Sequence, residues 1–299
     1  MNSLTQFWKQ GVFTLFGIGL LTAPAQAINI TTTTDPNVLV NNILSSGITV
    51  LNLTYNGAAL GSGTFTDGLS SGIGIDKGII LTSGNATLAP GPNNQDSATG
   101  NNGLLGDTDL NRLNPGFSTQ DASVLTFDFT SDTGDLFFNY VFASEEYNEY
   151  SNSRYNDVFG FFLDGKNIAL LPVTGTPVSI SNVNGGNPLG TNAQNPVFYN
   201  NNDLSDGGPF FNIQYDGFTN VFTAQAKGLA AGRHKIKLAI ADAGDSSFDS
   251  AVFIQAGTFS STRKSVPEPA SILSLLAFSA FGATSVLKRK QQNNTGAKA

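Results

Sequence analysis

The stretch Asp157-Val158-Phe159-Gly160-Phe161-Phe162-Leu163-Asp164-Gly165-Lys166-Asn167-Ile168-Ala169-Leu170 decides the fold class. A short apolar run of aromatic and β-branched residues ends at Asp-Gly and resumes beyond it. Asp-Gly supplies the two left-handed residues of a tight hairpin turn, so the stretch predicts two antiparallel strands. The same grammar recurs outward. Ile48-Thr49-Val50-Leu51-Asn52-Leu53-Thr54-Tyr55 stops at Asn56-Gly57, and Gly78-Ile79-Ile80-Leu81-Thr82 stops at Ser83-Gly84. Val124-Leu125-Thr126-Phe127-Asp128-Phe129 alternates, and Leu136-Phe137-Phe138-Asn139-Tyr140-Val141-Phe142 does so in part. Further strands are expected over residues 211–215, 221–226, 234–241 and 250–259. Roughly ten strands punctuated by Gly, Asn, Asp and Pro predict an all-β sandwich or jelly-roll-like domain. One short helix is expected over residues 37–44, capped by Asp35 and started by Pro36. Residues 89–120 and 182–209 read as long polar loops, and loops of that length are commonly functional or disordered.

The chain ends carry export signals. Lys9, an apolar run over residues 11–21 and the small-residue pattern Ala25-Gln26-Ala27 form the parts of a signal peptide over residues 1–27, cleaved after Ala27. A buried N-terminal helix is the alternative. At the other end, Val266-Pro267-Glu268-Pro269 precedes an apolar run over residues 270–287 and the basic cluster Lys288-Arg289-Lys290. About 18 residues make roughly 27 Å of helix, just enough to cross a hydrocarbon core. The basic end is expected to stay in the cytoplasm. Between the ends, residues 28–262 are long enough to bury a core without staples. There is no cysteine, so disulfides and thiolate metal sites are excluded. The net charge of −7 and the lack of a basic stripe before the tail argue against nucleic-acid binding.

Two acidic segments carry the chemistry. The first, Phe142 to Phe162, contains Glu145, Glu146, Glu149, Arg154, Asn156 and Asp157 between two strands. Crowded glutamates repel one another unless a positive group sits among them. Arg154 is one candidate and calcium is another, because calcium takes six to eight oxygens from carboxylates, Asn side chains and carbonyls. The second segment places Asp242, Asp245 and Asp249 in a turn around Gly244 between two apolar strands. It has calcium-loop chemistry without EF-hand spacing. An Asx-turn network is the alternative. The candidate metal ligands are Glu145, Glu146, Asn156, Asp157, Asp242, Asp245 and Asp249, with Asp107 and Asp109 as a weaker group.

Phe142-Ala143-Ser144-Glu145-Glu146-Tyr147-Asn148-Glu149-Tyr150, Asn156-Asp157-Val158-Phe159-Gly160-Phe161-Phe162 and the segment from Leu238 to Ser250 resemble the bacterial choice-of-anchor L domain. Leu81-Thr82-Ser83-Gly84, Gly106-Asp107-Thr108-Asp109-Leu110 and Gln214-Tyr215-Asp216-Gly217-Phe218-Thr219 support the match. The resemblance spans residues 48–259 and implies a secreted or surface protein with no assigned catalytic residue. The tail resembles a PEP-CTERM sorting signal. That resemblance implies an exosortase-type processing enzyme as partner, a mature end near Pro267, and a link to exopolysaccharide.

The reading that follows is a non-enzymatic, calcium-stabilised β-sandwich at the cell surface or in the extracellular matrix, serving adhesion or matrix structure. A carbohydrate-binding module is the first rival, with Tyr147, Tyr150 and Tyr155 as flat faces for sugar rings. A polysaccharide hydrolase is the second, since Glu145 or Glu146 with Asp242 could supply two carboxylates. The single histidine, His234, lies on an expected strand beside Arg233 and Lys235 and reads as a surface residue rather than a base. One His and no Cys make zinc improbable.

Overall fold

A computed structural model describes residues 26–172 and 174–265. Most of the signal peptide, the processing residues Pro267, Glu268 and Pro269, and the apolar run 270–287 lie outside the described residues. Ala27 is described and stands two positions before the first strand. Among the described residues no helix is long and apolar enough to cross a membrane.

The described chain builds two antiparallel sheets. In chain order the strands are β1 (Asn29–Thr32), β2 (Ile48–Asn56), β3 (Ser62–Thr66), β4 (Gly78–Thr82), β5 (Thr119–Ser131), β6 (Leu136–Ser144), β7 (Val158–Leu163), β8 (Lys166–Asn167), β9 (Tyr199–Asn201), β10 (Gly217–Thr219), β11 (Phe222–Ala226), β12 (His234–Ala243) and β13 (Ser250–Gln255). The larger sheet runs β1-β3-β4-β13-β6-β10-β9, with β11 also on β6; the smaller runs β2-β5-β12-β7-β8. This is the all-β sandwich expected from the strand pattern.

The deciding hairpin forms as read. Asp164 and Gly165 take φ of 48° and 83°, and Leu163 pairs with Lys166. The second strand is shorter than expected. Asn167 Oδ1 accepts from Phe161 N and Ala169 N, both at 3.0 Å, and replaces the ladder there. The helix α1 (Pro36–Ile43) starts at Pro36, and Asp35 accepts from Asn37 N at 2.9 Å.

Three apolar layers explain why several strands read as continuous rather than alternating. The main core lies between the sheets and includes Phe127, Phe138, Tyr140, Phe159, Leu238 and Val252. Phe259 packs into it against Phe127, Phe129 and Phe138 at centroid distances of 5.1–5.6 Å. A second cluster covers the outer face of the larger sheet and includes Phe65, Ile80, Val141, Phe218 and Phe253. A third, around Leu110, Val158, Phe162 and Ala241, covers part of the smaller sheet. Every residue of β4, β6 and β7 is therefore buried. Both faces of these strands meet protein, so both must be apolar or paired.

Two further expected strands differ. Residues 211–215 form no strand; only Ile213 bridges Pro90. The buried side chain of Asn202 stands in for a partner strand. Its Nδ2 donates to the carbonyls of Ile213 (2.9 Å) and Tyr215 (3.0 Å), and its Oδ1 accepts from Phe210 N and Phe211 N, both at 2.8 Å. β13 stops at Gln255 because Gly257 turns the chain at φ 65°. Phe259 and Ser260 then make single bridges to Leu44 and Phe137.

Candidate metal centre

Antiparallel register gathers the acidic residues at one end of the sandwich. In the larger sheet Ser144 faces both Gly217 and Ser250, and Ala251 faces Thr82. In the smaller sheet Ala243 faces Thr119 and Ala241 faces Val158. The segment 145–157 connects β6 to β7, and the segment 244–249 connects β12 to β13. Both therefore cross from one sheet to the other at this end. Loops read separately in the sequence become neighbours through topology.

Glu146, Asp157 and Asp242 are neighbours at this end, but among the described residues only Asp96, Glu149 and Asp203 bring three ligand oxygens within 4.8 Å of one another. Asp157 is fully buried. Its Oδ1 accepts from Ala243 N at 2.9 Å, and its Oδ2 lies 2.7 Å from Ser250 Oγ, which lies 2.8 Å from Ser144 Oγ. Glu146 Oε2 accepts from Asp157 N at 3.2 Å. Asp242 is fully buried and neither carboxylate oxygen has a hydrogen-bond partner. Ser83 lies beside it, with its hydroxyl turned to the Ser250 carbonyl at 3.4 Å. Asp245 sits partly exposed at the rim and accepts from Ser247 N at 3.1 Å.

Glu145 and Glu146 lie in the turn that follows β6, and Glu145 meets a different set of neighbours. Its environment is Asp216, Asp249 and Asp96. Both of its carboxylate oxygens are buried without a partner; the Ala98 amide faces it without closing a hydrogen bond. Asp249 Oδ2 accepts from Gly100 N (2.7 Å) and Asn85 N (3.3 Å), while its Oδ1 has no partner. Gly84 is required here, because a Cβ would lie 1.5 Å from Asp249 Oδ2.

Burial dominates the electrostatics. It pushes the Glu146 carboxyl up to about 9, opposed by the Asp157 amide and reinforced by Asp242 and Asp245. It pushes Asp157 and Asp242 well above the usual carboxylate range, with each charge repelling a neighbour. Glu145 moves the same way, first through burial and then through Asp216. Asp216 is raised to about 9 and Asp249 to about 6, again mainly by burial.

Among the described residues no Lys, Arg or His forms an ion pair with Glu145, Glu146, Asp157, Asp216, Asp242 or Asp249. Among the described residues the ion pairs join Arg112 to Asp109, Arg233 to Asp128, His234 to Asp164, and Lys237 to Asp107 and Asp109. Arg154 makes no ion pair with the glutamates: its guanidinium lies 4.7 Å over the Tyr155 ring and donates to the Tyr155 hydroxyl, and of the acidic residues only Asp245 attracts it. Uncompensated burial costs several kcal/mol per ion, so such groups take up protons or bind cations. The donors are all oxygens, as hard divalent cations require.

Several expected site residues lie elsewhere. Asn156 Oδ1 accepts from Ser181 N at 3.0 Å and faces that loop instead. Asp107 and Asp109 share Lys237 Nζ at 2.9 and 2.6 Å, Arg112 adds a second positive charge at Asp109, and Asp107 also caps the short helix Thr108–Asn111. Tyr147 is fully buried against Tyr199 at 4.9 Å, so it presents no face to a sugar. Tyr150 and Tyr155 are partly exposed and meet edge-to-face at 5.3 Å, with Phe248 packed on Tyr150 at 5.0 Å. His234 Nδ1 lies 2.6 Å from Asp164 Oδ2, and the carboxylate raises the imidazole pKa. Sequence reading missed Asp96, Asp203 and Asp216, which lie around Glu145 and Glu149. Asp216 stands inside the motif Gln214–Thr219, which was the available signal.

Fold and site define an all-β, two-sheet domain with a carboxylate-filled end spanned by both crossover loops. The chain belongs to the Choice-of-anchor L domain family, which it matches over residues 27–260. That family is a surface-associated, all-β class rather than a known enzyme family. Comparison with curated proteins and with solved structures gave no match.

Proposed function

We propose that this domain is a calcium-stabilised β-sandwich that serves adhesion or exopolysaccharide-associated structure outside the cell. The observation that carries the reading is Asp242, fully buried, with no backbone or basic donor on either carboxylate oxygen and only the Ser83 hydroxyl and the Asp157 carboxyl beside it. Together with Glu146 and Asp157 it offers a hard, oxygen-only environment where the two sheets are joined. A cation there would tie the β6–β7 and β12–β13 crossovers together. Calcium fits better than zinc because the donors are carboxylates and hydroxyls, with no imidazole or thiolate.

The ends of the chain support the location. A signal peptide cleaved after Ala27 and a sorting tail processed near Pro267-Glu268-Pro269 would make membrane insertion a transient state of the precursor. Intact-mass analysis of the secreted product tests this; a mature chain retaining residues 270–287 would refute it. The matrix role is tested by washing producing cells with EDTA. Release of the protein that is reversed by added calcium supports the proposal, and retention regardless of chelator opposes it.

A carbohydrate-binding reading keeps one specific observation: Tyr150, Tyr155 and Phe248 form a partly exposed aromatic group beside the acidic end. Loss of binding to the native polysaccharide in Tyr150→Ala and Tyr155→Ala, with unchanged stability, favours it. The hydrolase reading is weaker, because Glu145, Glu146 and Asp242 are at most 1% exposed. Release of reducing ends, lost in Glu146→Gln, would revive it.

A further inference from the structure

A second carboxylate group lies on the other side of Glu145, where the two long polar loops meet the segment after β6. One carboxylate oxygen each from Asp96, Glu149 and Asp203 lies within 4.8 Å of the others. Proximity alone would not identify a site, since acidic side chains often cluster at surfaces. Here the floor of the group is buried. Asp216 is fully buried and is close enough to repel all three. Its Oδ1 accepts from Asn93 Nδ2 at 2.5 Å, while its Oδ2 has no partner. Asp96 Oδ1 is likewise buried without a partner.

Asn148 adds a neutral donor. Its Nδ2 donates outward to Asp206 Oδ2 (2.7 Å) and Asn201 Oδ1 (3.0 Å), which leaves its own buried Oδ1 without a partner. Asp203 is nearly fully buried and fixed in place. Its Oδ1 accepts from Ser205 N (2.6 Å) and Ser205 Oγ (2.8 Å), and its Oδ2 from Asn148 N at 3.3 Å. Glu149 is exposed and forms the open side. The group therefore has a rigid floor, several buried oxygens lacking donors, and an entrance.

We propose that Asp96, Glu149, Asp203 and Asp216, with Asn148 Oδ1, form a second divalent-cation centre separate from Glu146, Asp157 and Asp242. It deepens the calcium reading of this end of the sandwich but rests on different residues. Its ligands come from four segments: residues 89–120, the segment after β6, the residues after β9, and the residue before β10. A cation here pins the long polar loops to the sandwich, whereas the first centre joins the sheets. The loops already share a hydrogen bond at this point, from Asn93 Nδ2 to the Asn202 carbonyl (3.2 Å), and Gln214 Nε2 holds Asn93 Oδ1 (3.0 Å).

The test is calcium stoichiometry of the full-length chain by equilibrium dialysis, with hydrogen exchange as a second readout. Wild type is expected to bind two equivalents. Glu149→Gln changes an exposed side chain and leaves folding intact; it should weaken one equivalent by roughly tenfold or more. Asp96→Asn with Asp203→Asn should abolish that equivalent and its protection of residues 89–120 and 200–216. Asp242→Asn should remove the other equivalent only. Unchanged calcium binding in Glu149→Gln and in the Asp96/Asp203 variant overturns the second centre. A single equivalent lost only in Asp242→Asn overturns it while sparing the first. A single equivalent lost only in the Asp96/Asp203 variant does the reverse.

Discussion

Raising the pH from 5 to 7 in the presence of EDTA should strongly destabilise the domain. A carboxyl whose pKa is higher folded than unfolded binds more protons in the folded state. Its stabilising contribution is complete below the unfolded value and is lost as pH rises through the folded value. Glu146 and Asp216 both go from ordinary carboxylate values to about 9. Across pH 5 to 7 each is therefore ionised unfolded and protonated folded. Each contributes a slope of about 1.4 kcal/mol per pH unit. The pair alone gives about 2.7 kcal/mol per unit, or about 5 kcal/mol over the window. That is an upper bound, since water entering the acidic end would soften it. It is still comparable to the 5–15 kcal/mol that holds a typical domain together. Glu145, Asp157 and Asp242 act in the same direction. The assay is urea denaturation in EDTA at pH 5, 6 and 7 with linear extrapolation. Unfolding free energy that stays level or rises with pH would refute the reasoning. Saturating calcium should reverse the trend, because metal ligands must be deprotonated.

Two substitutions separate the site from the scaffold. Asp242→Asn keeps the shape but removes a carboxyl that must take up a proton to fold without metal, so at pH 7.5 it should stabilise the EDTA-treated protein by about 1–3 kcal/mol and reduce the response to calcium. Equal destabilisation with and without calcium would make Asp242 an ordinary structural acceptor. Asn202→Ala removes the hydrogen bonds that replace a strand beside residues 210–215. A loss of about 3 kcal/mol or more is expected by urea denaturation, with faster hydrogen exchange over that segment. A loss below about 1 kcal/mol would mean water takes over the role.

Much of the fold was legible because local chemistry and tertiary structure agree. Asp164-Gly165 could hardly be anything other than a tight turn, and Asp35-Pro36 starts α1 where capping and fixed φ favour it. The expected β4 has the observed bounds. What escaped was short and polar. β9 and β10 are held by neighbours distant in sequence. Residues 119–123 join β5 although Thr-Gln-Asp-Ala-Ser has no strand pattern, and Asp121 lies there at φ 51°. The apolar segment 211–215 misleads for the opposite reason: a single side chain, Asn202, satisfies its backbone. At the acidic end, Glu146, Asp157 and Asp242 could be found because they abut apolar strands. Asp96 and Asp203 could not, because only topology brings those loops to the sheet end. The separate environments of Glu145 and Glu146 also needed the backbone path.

The most direct measurement is the melting temperature of the full-length chain at pH 7.5 in millimolar calcium against EDTA. A ligand bound only by the folded state at about a hundred times its Kd adds about 2.7 kcal/mol. For a domain of this size each kcal/mol raises the midpoint by roughly 2–4 °C. The account predicts a rise of about 5–10 °C for one centre and more for two. Identical melting temperatures in calcium and EDTA would contradict it.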